Sequence, residues 1–183
     1  MLGSVRGAVT VATRYDFADF DCDFVAFELD REGSMVSNDS LVFFNQLNSP
    51  DGAVRHLGVG CENGLPTSAD DEGIVVDLSG LGDGVHSIAF CWHSNSDFRD
   101  GKRQRRAGGS LRVLDSTHTE VWAGVVEPFA PAVGIENSRE YWSRELGRLT
   151  KQPDGAWKFE VGGQDRPASL RSLAEYFGYV GAP

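Results

Sequence analysis

A group of four aspartates near the start of the sequence has the residue type and spacing to bind a metal ion. They are Asp16, Asp19, Asp21 and Asp23. If the segment is extended, alternation places the last three on the same face as Val25, Phe27 and Leu29, a face suited to a core. Neighbouring carboxylates repel, and burying one without a partner is costly. A hard cation resolves the conflict, and Ca²⁺ accepts roughly six to eight oxygen ligands in irregular geometry.

A second acidic group and one amide are candidates for the same site. The acidic group is Asp70, Asp71 and Glu72, immediately before a predicted strand at residues 74–78. Asn45 ends an apolar run at residues 41–44 and offers a neutral oxygen. Groups at the starts of strands can converge at one end of a sandwich. The alternative is that each group is solvated in its own loop.

The aspartate spacing also matches the opening of an EF-hand loop, but the rest of that loop is missing. Its sixth position requires Gly and holds Phe24, and its twelfth requires Glu and holds Asp30. The residues between them have the composition of a strand. We therefore exclude an EF-hand.

Enzymatic alternatives have weaker support in the sequence. A metal-assisted hydrolase using the same acidic site needs an open coordination position and a general base, and the sequence nominates neither. The four histidines are scattered, which disfavours a histidine-bound zinc ion. They are His56, His86, His93 and His118. We expect a binding domain and not an enzyme, with the hydrolase as the alternative.

The elements that must position these residues are mostly short strands. β-like runs closed by turn residues recur along the chain, including residues 25–29, 41–45, 87–92 and 110–115. An apolar i, i+3, i+4, i+7 stripe predicts one helix at about residues 168–177, ending at Gly178. The expected fold is all-β: a single domain (1–183) with a two-sheet antiparallel β-sandwich and a short C-terminal helix closing over one edge or end.

The overall composition indicates a cytoplasmic protein with cationic ligands. The formal net charge is −10, from 27 acidic and 17 basic residues, which disfavours nucleic acid and anionic membranes as partners. The sequence shows no secretory signal and no membrane-spanning run. Its three cysteines form no C-x-x-C pair, so we expect free thiols.

Five segments, in this order, resemble the TerD-type tellurium-resistance domain. They read DFDCDFVAFELD, LVFFNQLNSPDGAVRHLG, DDEGIVVDL, YWSRELGRL to GAWKFEVGGQ, and SLRSLAEYFG. The resemblance implies a calcium-binding β-sandwich linked to tellurite and general stress responses, with stress-response partners that include membrane-associated proteins. It implies metal ligands at Asp16, in the family's Trp-Asp step, and at Asn45. It also assigns that role to the DFDxD aspartates and to residues 70–72.

The chain departs from the family pattern at two places near this site. The loop between Asp16 and Asp19 is shorter than usual in the family. Gly58-Val59-Gly60 stands where members commonly carry Gly-Asp-Asn, so an Asp and an Asn are absent. If the family arrangement holds two adjacent calcium ions, we expect the second site to be weakened or lost here.

Overall fold

A computed structural model describes residues 4–16, 22–59, 70–96, 107–129, 134–136, 139–166 and 169–181. The strands in these ranges are β1 (Ser4–Val5), β2 (Ala8–Tyr15), β3 (Cys22–Leu29), β4 (Leu41–Val42), β5 (Val54–Val59), β6 (Glu72–Asp77), β7 (Ser87–Ser96), β8 (Ala107–Leu114), β9 (Glu120–Phe129), β10 (Gly134–Glu136), β11 (Arg139–Lys151) and β12 (Trp157–Arg166). Helix α1 (Leu170–Tyr176) follows them.

The described strands form two antiparallel sheets, which confirms the predicted sandwich. One sheet has seven strands in the order β1-β12-β11-β7-β3-β4, with β10 paired to β11. The other has five strands in the order β5-β6-β2-β8-β9. The chain passes repeatedly between the sheets, so β2 and β3, which flank the aspartate-rich segment, lie in different sheets.

The main core lies between the two sheets and is built from alternate residues of each strand. Phe24, Phe90 and Trp92 of the seven-stranded sheet are fully buried there, together with Val11 and Ile74 of the five-stranded sheet. The Nε1 group of Trp92 donates to Thr13 Oγ1 at 2.9 Å, so the buried indole keeps a polar partner. Two apolar sheet faces thus bury each other, as alternation along the strands predicts.

Strand β3 is buried on both faces. Val25, Phe27 and Leu29 point away from the inter-sheet core and form a second cluster with the helical segment. The rings of Phe27 and Phe177 lie 4.6 Å apart between centroids. The predicted core role of this face is therefore correct, but the core that it joins is the smaller one beneath α1.

Helix α1 begins and ends close to the predicted boundaries. Ser169 is the N-cap, and its hydroxyl accepts the N–H of Ser172 at 3.0 Å. Gly178 ends the helix with φ 88°, a left-handed conformation that glycine adopts readily. We expected the helix at an edge or end of the sandwich, whereas it covers the outer face of the seven-stranded sheet. No helix in the described ranges is both long and apolar enough to cross a membrane.

Two strand predictions needed correction. The predicted strand at residues 41–45 stops at Val42, because Phe43 and Gln46 exchange backbone hydrogen bonds and close a turn. Strands β2 and β5, which the sequence patterns did not identify, supply the centre and one edge of the five-stranded sheet. The long strands β11 and β12 form a hairpin that turns at Pro153-Asp154-Gly155.

Candidate functional site

Tyr15, the last residue of β2, lies between the two acidic segments. Its N–H donates to Asp71 Oδ2 at 2.7 Å, and its hydroxyl donates to Glu72 Oε2 at 3.1 Å. Burial raises the pKa of Tyr15 well above its usual value. The neighbouring Cys22, Glu72 and Asp23 raise this pKa further through their negative charge. The start of β3 and the start of β6 therefore converge at one end of the sandwich, as predicted.

Glu72 joins the two sheets at this end. Its side chain is buried, and Oε2 accepts the backbone N–H of Phe24 at 2.5 Å in addition to the Tyr15 hydroxyl. Strand β4 pairs with β3 only at Ala26 and Phe27, so Phe24 lies beyond the protection of that edge strand. The carboxylate satisfies a backbone group that would otherwise be buried without a partner.

His56, on β5, completes the same attachment. Its Nε2 lies 3.1 Å from the carbonyl oxygen of Phe24, and its Nδ1 accepts the N–H of Gly58 at 2.9 Å. Because Nδ1 accepts, Nε2 carries the hydrogen, and the imidazole is neutral. Its 3.5 Å approach to Glu72 is then a polar contact and not a charged pair. Together, Glu72 and His56 hold both backbone polar groups of Phe24, and we call this arrangement the Phe24 clamp.

Asp70 is already paired with a protein cation. It is 3% exposed, and Arg112 Nε donates to its Oδ1 at 3.1 Å while Arg112 Nη2 donates to Oδ2. The same guanidinium reaches Glu120 Oε2 at 3.3 Å. The hydrogen bond to Asp70 raises the pKa of Arg112 above its usual value. This two-pronged geometry is typical of strong arginine–carboxylate pairs.

Asp23 begins a polar row on the outer face of the seven-stranded sheet. The strand register places it directly across from His93, and His93 directly across from Ser143. His93 Nδ1 and Ser143 Oγ share a hydrogen bond of 3.1 Å, and the imidazole stacks on Tyr141 at 6.1 Å between centroids. Ser143 is only 2% exposed, so this row does not present an open nucleophile. Sequence spacing could not find it, because only the register brings these strands together.

The other predicted ligands are distributed as follows. Asp16 is exposed, and its N–H donates to the carbonyl of Gly108 at 3.0 Å. Asn45 is exposed in the turn that follows β4. Asp19 and Asp21 lie outside the described residues. The structure therefore places Asp71 and Glu72 on Tyr15, Asp23 on the outer face beside His93, and Asp70 in a pair with Arg112.

Comparison with known proteins assigns the family. The TerD domain family matches residues 4–177 of the chain. The chain belongs to the TerD family. It is 28% identical to the tellurium resistance protein TerD of Serratia marcescens over 170 residues, which cover 89% of this chain and 80% of that protein.

The chain is also similar to a general stress protein and to a solved structure. The chain is 25% identical over 166 residues to general stress protein 16U of Bacillus subtilis (strain 168), covering 87% of this chain and 78% of that protein. A crystal structure of a homologue of telluride resistance protein (TerD) from Streptomyces coelicolor A3(2) has a similar fold. It gives a TM-score of 0.62 at 14% identity and covers 93% of this chain and 96% of the other.

The donor chemistry of this TerD chain suits a hard cation in part. The predicted ligands are carboxylates and one amide, the oxygen donors that Ca²⁺ prefers. Within the described ranges, no three His, Cys, Asp or Glu side chains form a group that could hold a metal ion. Two of the predicted carboxylates also serve the fold: Asp70 neutralises Arg112, and Glu72 holds Phe24 and Tyr15.

Proposed function

We propose that this TerD-family chain is a calcium-binding, non-catalytic stress-response domain that acts as a scaffold or binding module. The observation that supports it most is the convergence of two acidic segments at one end of the sandwich. Asp71 accepts the N–H of Tyr15, and Glu72 accepts the N–H of Phe24, the residue after Asp23. A cation at this end would relieve the repulsion among these carboxylates; the pKa of Tyr15 is raised mainly by burial, and the charges of Cys22, Glu72 and Asp23 add to that shift.

The proposal divides the predicted acidic residues into two roles. Asp23 and Asp71, with Asp19 and Asp21 predicted from the sequence, are the carboxylates assigned to Ca²⁺. Asp16 and Asn45 are exposed near the ends of their strands and would complete the oxygen shell. Asp70 and Glu72 are assigned to positioning, because their oxygens already accept protein hydrogen bonds. Ca²⁺ would supply charge neutralisation at the end where the two sheets meet.

The names of two relatives support a role in stress responses. One is named a general stress protein and another a tellurium resistance protein. We infer a cytoplasmic role alongside other stress-response proteins, including membrane-associated ones, with calcium controlling the binding surface.

Calorimetric titration with Ca²⁺, using Mg²⁺ as the control ion, tests the proposal on protein first stripped of metal. Asp23→Asn and Asp71→Asn should each weaken Ca²⁺ binding at least tenfold. The amide oxygen that Asp71→Asn introduces can still accept the Tyr15 N–H, so the fold is retained. Asp83→Asn, at an exposed turn after β6, is the matched control and should bind as the wild type does.

Thermal stability gives a second readout. A ligand present at 100 times its dissociation constant, binding only the folded state, adds about 2.7 kcal/mol. Melting curves in EDTA and in millimolar Ca²⁺ should therefore separate clearly, and coincident curves would contradict calcium binding. Metal-dependent hydrolysis of phosphate or carboxylate esters that is lost in Asp23→Asn would instead support the hydrolase alternative.

A further inference from the structure

A buried carboxyl group lies on β3 near its end away from Tyr15. Glu28 shares its parity with Phe24 and Ala26 and therefore points into the space between the sheets. The residue is 2% exposed. Its Oε1 atom is fully buried and has no hydrogen-bond partner among the described residues. A buried charged oxygen in this state is energetically costly, so some group must compensate it.

Three polar side chains lie beside Glu28: Ser40, Ser49 and a second carboxyl group, Asp51, in the loop between β4 and β5. Asp51 accepts hydrogen bonds from three donors. Its Oδ1 accepts the Ser49 hydroxyl at 2.6 Å and the Ala53 N–H at 3.0 Å, and its Oδ2 accepts the Gly82 N–H at 2.9 Å. A carboxylate offers about four acceptor positions, so Asp51 has room for about one more donor.

We propose that Glu28 is a carboxylic acid that donates its proton to Asp51, forming a pH-sensitive latch between β3 and two loops. One proton fills the remaining acceptor position of Asp51 and removes the repulsion between the buried Glu28 carboxylate and the exposed Asp51 carboxylate. A calcium ion needs roughly six or more oxygen ligands, which the engaged Asp51 oxygens do not provide. The latch ties β3 to the Ser49–Ala53 turn and, through Gly82, to the turn before β7.

The electrostatics of the pair agree with this geometry. Burial raises the pKa of Glu28 from 4.5 to about 7; the nearby Ser49 hydroxyl opposes the shift, and the charge of Asp51 adds to it. Burial also acts to raise the pKa of Asp51, but hydrogen bonds from Ser49, Ala53 and Gly82 outweigh it and lower this pKa. The shared proton therefore resides on Glu28.

The other ionisable side chains on the neighbouring elements have their own contacts or lie in another pocket. Asp77, at the end of β6, accepts the Ser79 hydroxyl at 2.6 Å and is exposed. His86, before β7, lines a separate pocket with Asp30 and Lys151. Ser40 contributes a hydrogen bond to Glu28 that favours its ionised form. Asp51 is thus the ionisable partner through which the latch acts.

The sign of the pH effect follows from the raised pKa. Between about pH 4.5 and pH 7 the folded protein holds the Glu28 proton and the unfolded chain releases it. The contribution of Glu28 to stability therefore declines as pH rises through this window and levels off above it. Above pH 7 the latch holds two adjacent carboxylates, and the Ser49–Ala53 turn is less firmly tied to β3.

Comparison of wild type with Glu28→Gln tests the latch. The glutamine amide can donate to Asp51 at every pH. The two proteins should melt at similar temperatures at pH 5, whereas at pH 8 the variant should melt at least about 3 °C higher. Glu32→Gln, in the exposed turn after β3, should follow the wild-type profile. A difference in melting temperature between wild type and Glu28→Gln that is the same at pH 5 and at pH 8 would overturn the proposal.

Direct titration of the wild type gives a second test, which does not depend on the stability of a variant. Carboxyl-carbon NMR should show one glutamate, absent in Glu28→Gln, that titrates near pH 7 in EDTA and in millimolar Ca²⁺ alike. Titration of every glutamate below pH 5.5 would contradict a shared proton. A Glu28 titration that Ca²⁺ moves to lower pH would identify a cation site instead, and the latch would be wrong even if the proposed calcium site held.

Discussion

The carboxylate of Glu72 accepts the backbone N–H of Phe24 at 2.5 Å and so joins the five-stranded sheet to the seven-stranded sheet. The side chain of Glu72 thus binds the backbone of β3 at Phe24, a residue that lies beyond the end of the neighbouring strand β4. It holds β3 at Phe24, one residue after Asp23. The Phe24 clamp therefore fixes the acidic end of this strand against the other sheet.

We expect Glu72→Ala to lower the free energy of unfolding by about 2–4 kcal/mol, because it leaves the Phe24 N–H and the Tyr15 hydroxyl without a buried acceptor. Glu72→Gln keeps an acceptor oxygen and should lose less. Tyr15→Phe removes only one hydrogen bond and should cost about 1 kcal/mol. Urea denaturation measures all three, and equal losses for Glu72→Ala and Tyr15→Phe would argue against the clamp.

The pairing of Asp70 with Arg112 predicts a stability effect without an effect on calcium. Arg112→Met leaves a buried carboxylate without its cation and should cost about 3 kcal/mol or more. Adding Asp70→Asn to the Arg112→Met variant should recover part of that loss, since the buried charge is gone. If Asp70 positions Arg112 and does not bind Ca²⁺, Asp70→Asn alone should leave Ca²⁺ affinity within about threefold of wild type. A loss as large as that of Asp23→Asn would return Asp70 to the ligand set.

Phe177 should dominate the docking of the C-terminal segment. It is 1% exposed and packs on Phe27, so Phe177→Ala should cost about 3–5 kcal/mol. Val180→Ala is a suitable control, because its side chain is 74% exposed while its backbone is held by Asn38. Chemical denaturation of the two variants side by side checks the difference. Similar small losses would show that α1 adds little to the fold.

The thiols should differ in reactivity between the folded and unfolded protein. Cys22 and Cys91 are buried and free of disulfides. Burial, reinforced by the charge of Glu145, raises the pKa of Cys91 well above its usual value, so little thiolate is available. A thiol reagent should modify Cys91 slowly in native protein and rapidly after denaturation. Under denaturing, non-reducing conditions we expect three thiols, including Cys61, and fewer would indicate a disulfide.

Much of the architecture was predictable because alternation along strands is a local property. The shared parity of Asp23, Val25 and Phe27 was correct, and so was the helix that ends at Gly178. The identity of the layer against which that parity packs was not predictable, since it depends on where a distant helix docks. Two apolar faces of one strand look the same in the sequence whether a sheet or a helix covers them.

The candidate site was predictable in its residues and less so in their roles. The sequence predicted that residues 70–72 lie near the aspartates, but it could not show that Arg112 forms an ion pair with Asp70. It also could not identify His56 or His93 as neighbours of this end, because strand register decides both contacts. Glu28 was interpreted simply as part of a strand, although it is a buried carboxyl group beside Asp51.

The double burial of β3 has a consequence for synthesis on the ribosome. The outer side of this early strand is covered largely by residues of α1 and by Phe177 just after it, and β1 pairs with β12, so both contacts await segments translated much later. Until then Val25, Phe27 and Leu29 form an apolar surface on a nascent chain that cannot yet close its larger sheet. Such distant pairings slow folding and extend the interval in which aggregation competes. A factor that shields emerging apolar strands should therefore raise the yield of this protein more than it raises that of a similar sandwich whose early strands have no late helical cover.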